Sequence, residues 1–260
     1  MPETTTTDLE TRLRALRAAG RKILVPYVTG HVPSWIETIR GVVASGADAV
    51  EIGIPFSDPV MDGPVIQRAS TIALANGATL QGILAGIRRL EVDVPLIVMC
   101  YYNTVFRAGH ERFAHLLREA GVSGVIVPDL PLEESGDWCA AADAAGLATV
   151  MLAAPTAPDE RLPQIAARAR GFVYAVGLLG VTGERESLAA SAITIAQRVK
   201  QVTDVPVLVG VGVSDARQAA QVCAVADGVI QGAAVMRRLL DEGVDSVTRF
   251  VAEVRGALDE

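Results

Sequence analysis

The stretch VEIGIPFSDPVMDGPVIQ, residues 50–67, opens as a strand with one acid, Glu51, and breaks into a loop with two more, Asp58 and Asp62, and three prolines, Pro55, Pro59 and Pro64. Successive strand side chains point to opposite faces. Val50 and Ile52 therefore face one way, and Ala49, Glu51 and Gly53 face the other. If the branched residues pack against helices, Glu51 points into the interior of a sheet between small neighbours that leave room for a ligand.

Similar β-branched runs recur along the chain, each followed by an Ala-, Leu- and Arg-rich stretch of helical period. They are KILVPYV (22–28), DAVEIG (48–53), PLIVMCY (95–101), GVIVPD (124–129), ATVMLAA (148–154), GFVYAV (171–176), PVLVGVG (206–212) and DGVIQG (227–232). Strands alternating with helices read as parallel βαβ units. Eight such units in 260 residues point to a (β/α)8 TIM barrel, with a doubly wound open sheet as the alternative. No linker interrupts the pattern, so residues 1–260 read as a single TIM-barrel domain. Leu9, Leu13 and Leu16 share one face of an extra N-terminal helix over 7–19, placed to close the barrel floor. Residues 64–92 hold two helices, with NGAT (76–79) as the break.

Half of the residues are hydrophobic and 20% are charged, enough apolar surface for a large core. The net charge of −7 argues against nucleic acid or an anionic membrane as partner. The start lacks the apolar core of a secretion signal and no later run is long enough to span a bilayer, so a cytoplasmic location is expected. Cys100, Cys139 and Cys223 are far apart and read as buried reduced thiols.

Elimination narrows the chemistry. Against 21 arginines stand two lysines, Lys22 and Lys200, both expected away from the carboxyl ends of the strands, where barrel chemistry sits, so a Schiff base lacks its amine. His110 and His115 read as surface residues and His31 follows strand one. Nothing has zinc-ligand spacing, and no metal is expected. Serine-hydrolase elbows, P-loops and dinucleotide fingerprints are absent. Carboxylates remain. An ionised Glu51 in the interior needs a buried partner or has its pKa raised into the range useful for proton transfer. Asp58 precedes Pro59 and Asp62 precedes Gly63, so each is either a turn former or an acid held by a stiff loop. GVGVSDA (210–216) and QGAAVMRR (231–238) follow strands seven and eight, where barrels commonly hold phosphate; close packing is the other reading of their glycines. GVTGE (180–184) offers further N–H donors or a lid.

With VPDLPLEES (127–135) and VYAVGLLGVTG (173–183), the 50–67 stretch resembles the α subunit of tryptophan synthase in order and spacing from residue 8 to 256, and ILVPYVTGH resembles its actinobacterial branch. The resemblance implies retro-aldol cleavage of indole-3-glycerol phosphate to indole and glyceraldehyde 3-phosphate in tryptophan biosynthesis. It also implies no cofactor in this subunit, and an α2β2 heterotetramer with a β subunit that carries pyridoxal phosphate. By position it makes Glu51 the general acid–base, Asp62 the carboxylate facing the indole nitrogen, and Tyr174 a substrate-positioning residue. Gly183, Gly212, Gly232 and Ala233 become the phosphate cradle, and Phe56, Asp58, Asp129 and Thr182 the lid and partner loops. Three departures stand out: Gly177 where the family often has Ser, Ala233 for the usual Ser, and a short first loop, TGHVPS. They keep two alternatives in view, a stand-alone lyase releasing free indole and a weakly active activator of a β subunit.

Overall fold

The computed structural model describes residues 7–177, 185–210 and 212–260. Eight parallel strands pair in sequence order and close: β1 (Ile23–Thr29), β2 (Val50–Gly53), β3 (Leu96–Met99), β4 (Val122–Ile126), β5 (Ala148–Ala153), β6 (Val173–Val176), β7 (Val207–Gly210) and β8 (Gly228–Gln231). Closure comes from β8, which pairs with β1 from Ile23 opposite Gly228 to Pro26 opposite Gln231. The closed ring removes the open-sheet alternative.

Helix α1 (Asp8–Ala18) precedes the barrel. The outer layer follows as α2 (Trp35–Ala44), α3 (Pro64–Ala75), α4 (Leu80–Ile87), α5 (Tyr102–Ala108), α6 (His110–Glu119), α7 (Gly136–Ala144), α8 (Leu162–Arg168), α9 (Arg185–Lys200), α10 (Ala216–Cys223), α11 (Ala233–Glu242) and α12 (Val244–Asp259). Local chemistry sets several boundaries. The Thr7 hydroxyl accepts from Glu10 N and starts α1, and Thr79 does the same for Gly82 N at the start of α4. Gly77, at φ +82°, lies in the turn between α3 and α4, inside the expected break. Strand β4 lies two to three residues earlier than its expected span, because Pro128 has no N–H to pair and Leu130 N turns back to Val127 O. The short loop from β1 to α2 holds two non-glycine residues in the left-handed region, His31 (φ 69°) and Ser34 (φ 60°).

The amino end of the barrel is filled and bonded. Leu9 is fully buried, and a Cβ at Gly124 or Gly171 would come within 2.7 or 2.8 Å of its Cδ2, so those glycines make its seat. Glu10 accepts from Arg14 Nε (2.8 Å) and Gly171 N (3.2 Å). The expected helix over the floor is α1. Two aspartates just ahead of strands tie neighbouring strands together. Asp48 accepts from Leu24 N, Arg21 and Arg255, and Asp227 accepts from Val207 N and Lys200. Lys22 Nζ donates to Ala226 O, so both lysines lie at this end, as expected. The three cysteines are free and buried. Among the described residues no single helix is long and apolar enough to cross a membrane.

Candidate active site

At the carboxyl end of the barrel a cavity of about 320 Å³ opens, lined by Tyr27, Glu51, Asp62 and Tyr174 together with Gly212, Ser214, Gly232 and Ala233. Strand β1 is in register with β2 so that Tyr27 stands opposite Glu51. The interior is kept open by glycines where neighbouring strands carry tyrosines. A Cβ at Gly53 would meet the Tyr27 hydroxyl at 1.9 Å, and one at Gly210 the Tyr174 hydroxyl at 2.0 Å. The Tyr27 hydroxyl also accepts from Thr29 Oγ1 at 3.3 Å.

Glu51 is 3% exposed and its Oε2 is buried without a hydrogen-bond partner. The alternative, a carboxylate locked to a buried arginine, does not hold among the described residues: the arginine buried there, Arg255, bonds Asp48 at the opposite end. Burial, followed by the negative charge of Asp62, pushes the Glu51 carboxyl up from 4.5 to about 8. Near neutrality such a group can both give and take a proton.

Asp62 belongs to the loop between β2 and α3. Its Oδ2 accepts from the Tyr101 hydroxyl at 3.0 Å, and the same hydroxyl accepts from Met61 N at 3.0 Å. Partial burial raises the Asp62 carboxyl above its ordinary value, while the Tyr101 hydrogen bond works against that rise. Its side chain thus lines the cavity, bonded to Tyr101, rather than folding onto its own turn. Asp58 is exposed and accepts from its neighbour Ser57 at 2.6 Å. Phe56 stacks on Tyr101 with centroids 5.1 Å apart, and Asp129 accepts from Tyr102 N (2.8 Å) at the start of α5. One tyrosine at the end of β3 therefore connects Phe56 to Asp62. Sequence reasoning missed Tyr101 and Tyr27; the available signal was an aromatic residue with a polar tip in or just after a barrel strand.

Gly212 has φ +88°, which suits glycine, and Gly232 is the residue before α11, whose first N–H groups have no partner within the helix; both glycines line the cavity. Ala233 opens α11 and brings no hydroxyl. Gly183 and Thr182 lie outside the described residues. Gly177 is buried and donates its N–H to Gly210 O at 3.3 Å. His31 is held by Asn76 O (3.3 Å) and does not line the cavity. His115 is exposed beside Glu119, as expected of a surface residue. His110 differs from that expectation: it is half-buried, bonded to the Tyr102 hydroxyl at 2.9 Å and packed on Tyr102 and Trp138, because the Gly109 turn brings α5 and α6 together. Among the described residues no three His, Cys, Asp or Glu side chains are arranged to hold a metal ion.

The family model described as tryptophan synthase alpha chain matches residues 13–257. The chain belongs to the tryptophan synthase alpha chain family. It is 45% identical over 256 residues to the tryptophan synthase alpha chain of Streptomyces coelicolor, covering 95% of this chain and 94% of that one. The corresponding protein of Thermobifida fusca is 44% identical over 260 residues, covering 97% and 96%. Among solved structures, a chain of Mycobacterium tuberculosis tryptophan synthase superposes with TM-score 0.89 at 37% identity, covering 98% of this chain and 99% of that one. The tryptophan synthase alpha subunit of Legionella pneumophila gives 0.88 at 32%, with the same two coverages. Membership makes the chain a lyase of tryptophan biosynthesis, and the pyridoxal phosphate of tryptophan synthase belongs to the β subunit rather than to this one.

Proposed function

We propose that this chain, as one catalytic unit spanning residues 1–260, cleaves indole-3-glycerol phosphate with Glu51 as general acid–base and Asp62 as its charged partner. The indole C3 must gain a proton and the glycerol hydroxyl must lose one for the carbon–carbon bond to break. Glu51, moving one proton between these positions, leaves indole and an aldehyde without any redox change. Positive charge gathers on the indole nitrogen as C3 is protonated, and Asp62 in the cavity lining stabilises it. Tyr174 supports the ring, and the N–H groups of Gly212, Gly232 and Ala233, with Gly183, hold the phosphate. The observation that carries the reading is the buried Glu51, its Oε2 without a hydrogen-bond partner and its carboxyl pushed up to about 8 by burial, lining the same cavity as the start of α11.

The partner is a tryptophan synthase β subunit in an α2β2 heterotetramer, and the compartment is the cytoplasm. Support for a docking face comes from the exposed Val60 (79%), Met61 and Phe106 (66%), which lie with Phe56, Asp58 and Asp129 in segments that follow the carboxyl ends of β2, β3 and β4. The test is indole release by the purified chain with and without a β subunit. Glu51→Gln lowers turnover by about 10²–10⁴-fold with substrate binding kept, as expected for loss of a positioned acid–base, and Asp62→Asn lowers it strongly too. Appreciable turnover in Glu51→Gln rules out the role given to Glu51. A large rise in wild-type activity with the β subunit supports the partnership; full activity alone favours a stand-alone lyase.

A further inference from the structure

Arg237 stands on α11 one turn after Ala233 and lines the same cavity. Long helical side chains lie over the turn that precedes their own Cα, so this guanidinium is carried back towards Ala233 and the open N–H groups at the start of α11. The adjacent arginine shows the contrast. Arg238 is part of the framework, donating to Ala234 O at 3.0 Å and lying 3.8 Å over the Phe250 ring. Arg237 is exposed and makes no hydrogen bond or ion pair among the described residues. The carboxylate four residues on, Asp241, is already engaged by Arg68 at 2.6 Å.

The charge layout of the cavity is uneven. Its acids, Glu51 and Asp62, come from β2 and the loop after it, and among the described residues lining it Arg237 is the only cation. We propose that Arg237 is the cationic ligand of the substrate phosphate, reaching over Ala233 to bind phosphate oxygens that the main-chain cradle leaves free. A guanidinium offers paired N–H donors matched to two phosphate oxygens, which makes up for the hydroxyl that Ala233 lacks. It also orients the ligand, since a dianion is drawn to the α11 end and away from the acidic loop that carries Asp62. The assignment rests on the lyase reading and deepens it, naming the group that selects phosphorylated over unphosphorylated indole glycerols.

The experiment compares Arg237→Gln and Arg237→Lys with Arg249→Gln, which makes the same charge change at an exposed position of α12. Binding of inorganic phosphate is measured by titration calorimetry, and KM and kcat are measured with indole-3-glycerol phosphate. Arg237→Gln weakens phosphate binding and raises KM by about tenfold each with kcat nearly unchanged, the pattern of a lost binding contact. Arg237→Lys recovers part of both, and Arg249→Gln changes neither. Wild-type phosphate affinity in Arg237→Gln overturns the proposal, as does an equal loss in Arg249→Gln. Phosphate titration needs no turnover: a chain that binds phosphate through Arg237 yet releases no indole keeps this assignment and loses the lyase reading, and indole release with a KM indifferent to Arg237 does the reverse.

Discussion

Glu51 combines two properties that oppose each other, a buried carboxyl and no counter-charge bonded to it among the described residues. The resulting rise from 4.5 to about 8 is a statement about stability as well as catalysis. Between those values the folded chain keeps a proton that the unfolded chain has already lost, so stability falls as pH rises through that window and the loss is complete above it. Glu51→Gln carries no such proton. Its stability relative to wild type should grow from about pH 4.5 to about 8 by a few kcal/mol, seen in urea unfolding at several pH values; a constant difference would mean that Glu51 titrates normally. Gly53 has a role at the same scale that its sequence neighbours do not reveal. Gly53→Ala puts a methyl group where the Tyr27 hydroxyl and Cζ now lie, at 1.9 and 2.5 Å. We expect a loss of about 1–3 kcal/mol in thermal unfolding and a larger proportional loss of activity, because Tyr27 must move within the cavity wall.

The loop from β2 to α3 shows how an element turns a flexible acid into a positioned one. Pro55 and Pro59 limit its backbone, Pro64 starts α3, and Tyr101 holds its far end through Met61 N and Asp62 Oδ2. The prolines and the acids were legible in residues 50–67; the tyrosine was not, because it lies 39 residues from Asp62 and reaches it only after β3 is laid beside β2. Tyr101→Phe keeps the stack with Phe56 and removes both hydrogen bonds. The expected result is a kcat lower by about tenfold, a smaller change in KM, and a stability loss near 1 kcal/mol. An unchanged kcat would show that Asp62 finds its place without this bond.

Across the whole molecule the two barrel ends divide the work. The amino end is closed by Leu9 and bonded through Asp48 and Asp227, and the carboxyl end carries the cavity. Asp48→Ala takes from Arg255, whose side chain is 8% exposed, its buried partner and leaves it Lys22 O and the half-exposed Asp259. Stability should drop by about 3 kcal/mol in denaturant unfolding while kcat of the folded fraction stays near wild type. A matching collapse of kcat would mean that the two ends are mechanically coupled.

The sequence by itself determined the eight-fold alternation, the floor helix and the acids proposed to carry the chemistry, because strand and helix periods and the pairing of an interior Glu with a proline-stiffened loop are local patterns. Only the tertiary structure decided that Glu51 stands unpaired, that Tyr101 aims Asp62, that His110 packs between helices, and that Arg237 rather than Arg238 looks into the cavity. Those outcomes depend on which strand lies beside which and how far round the barrel each helix is turned. Distances between groups remote in sequence arise only when the ring closes.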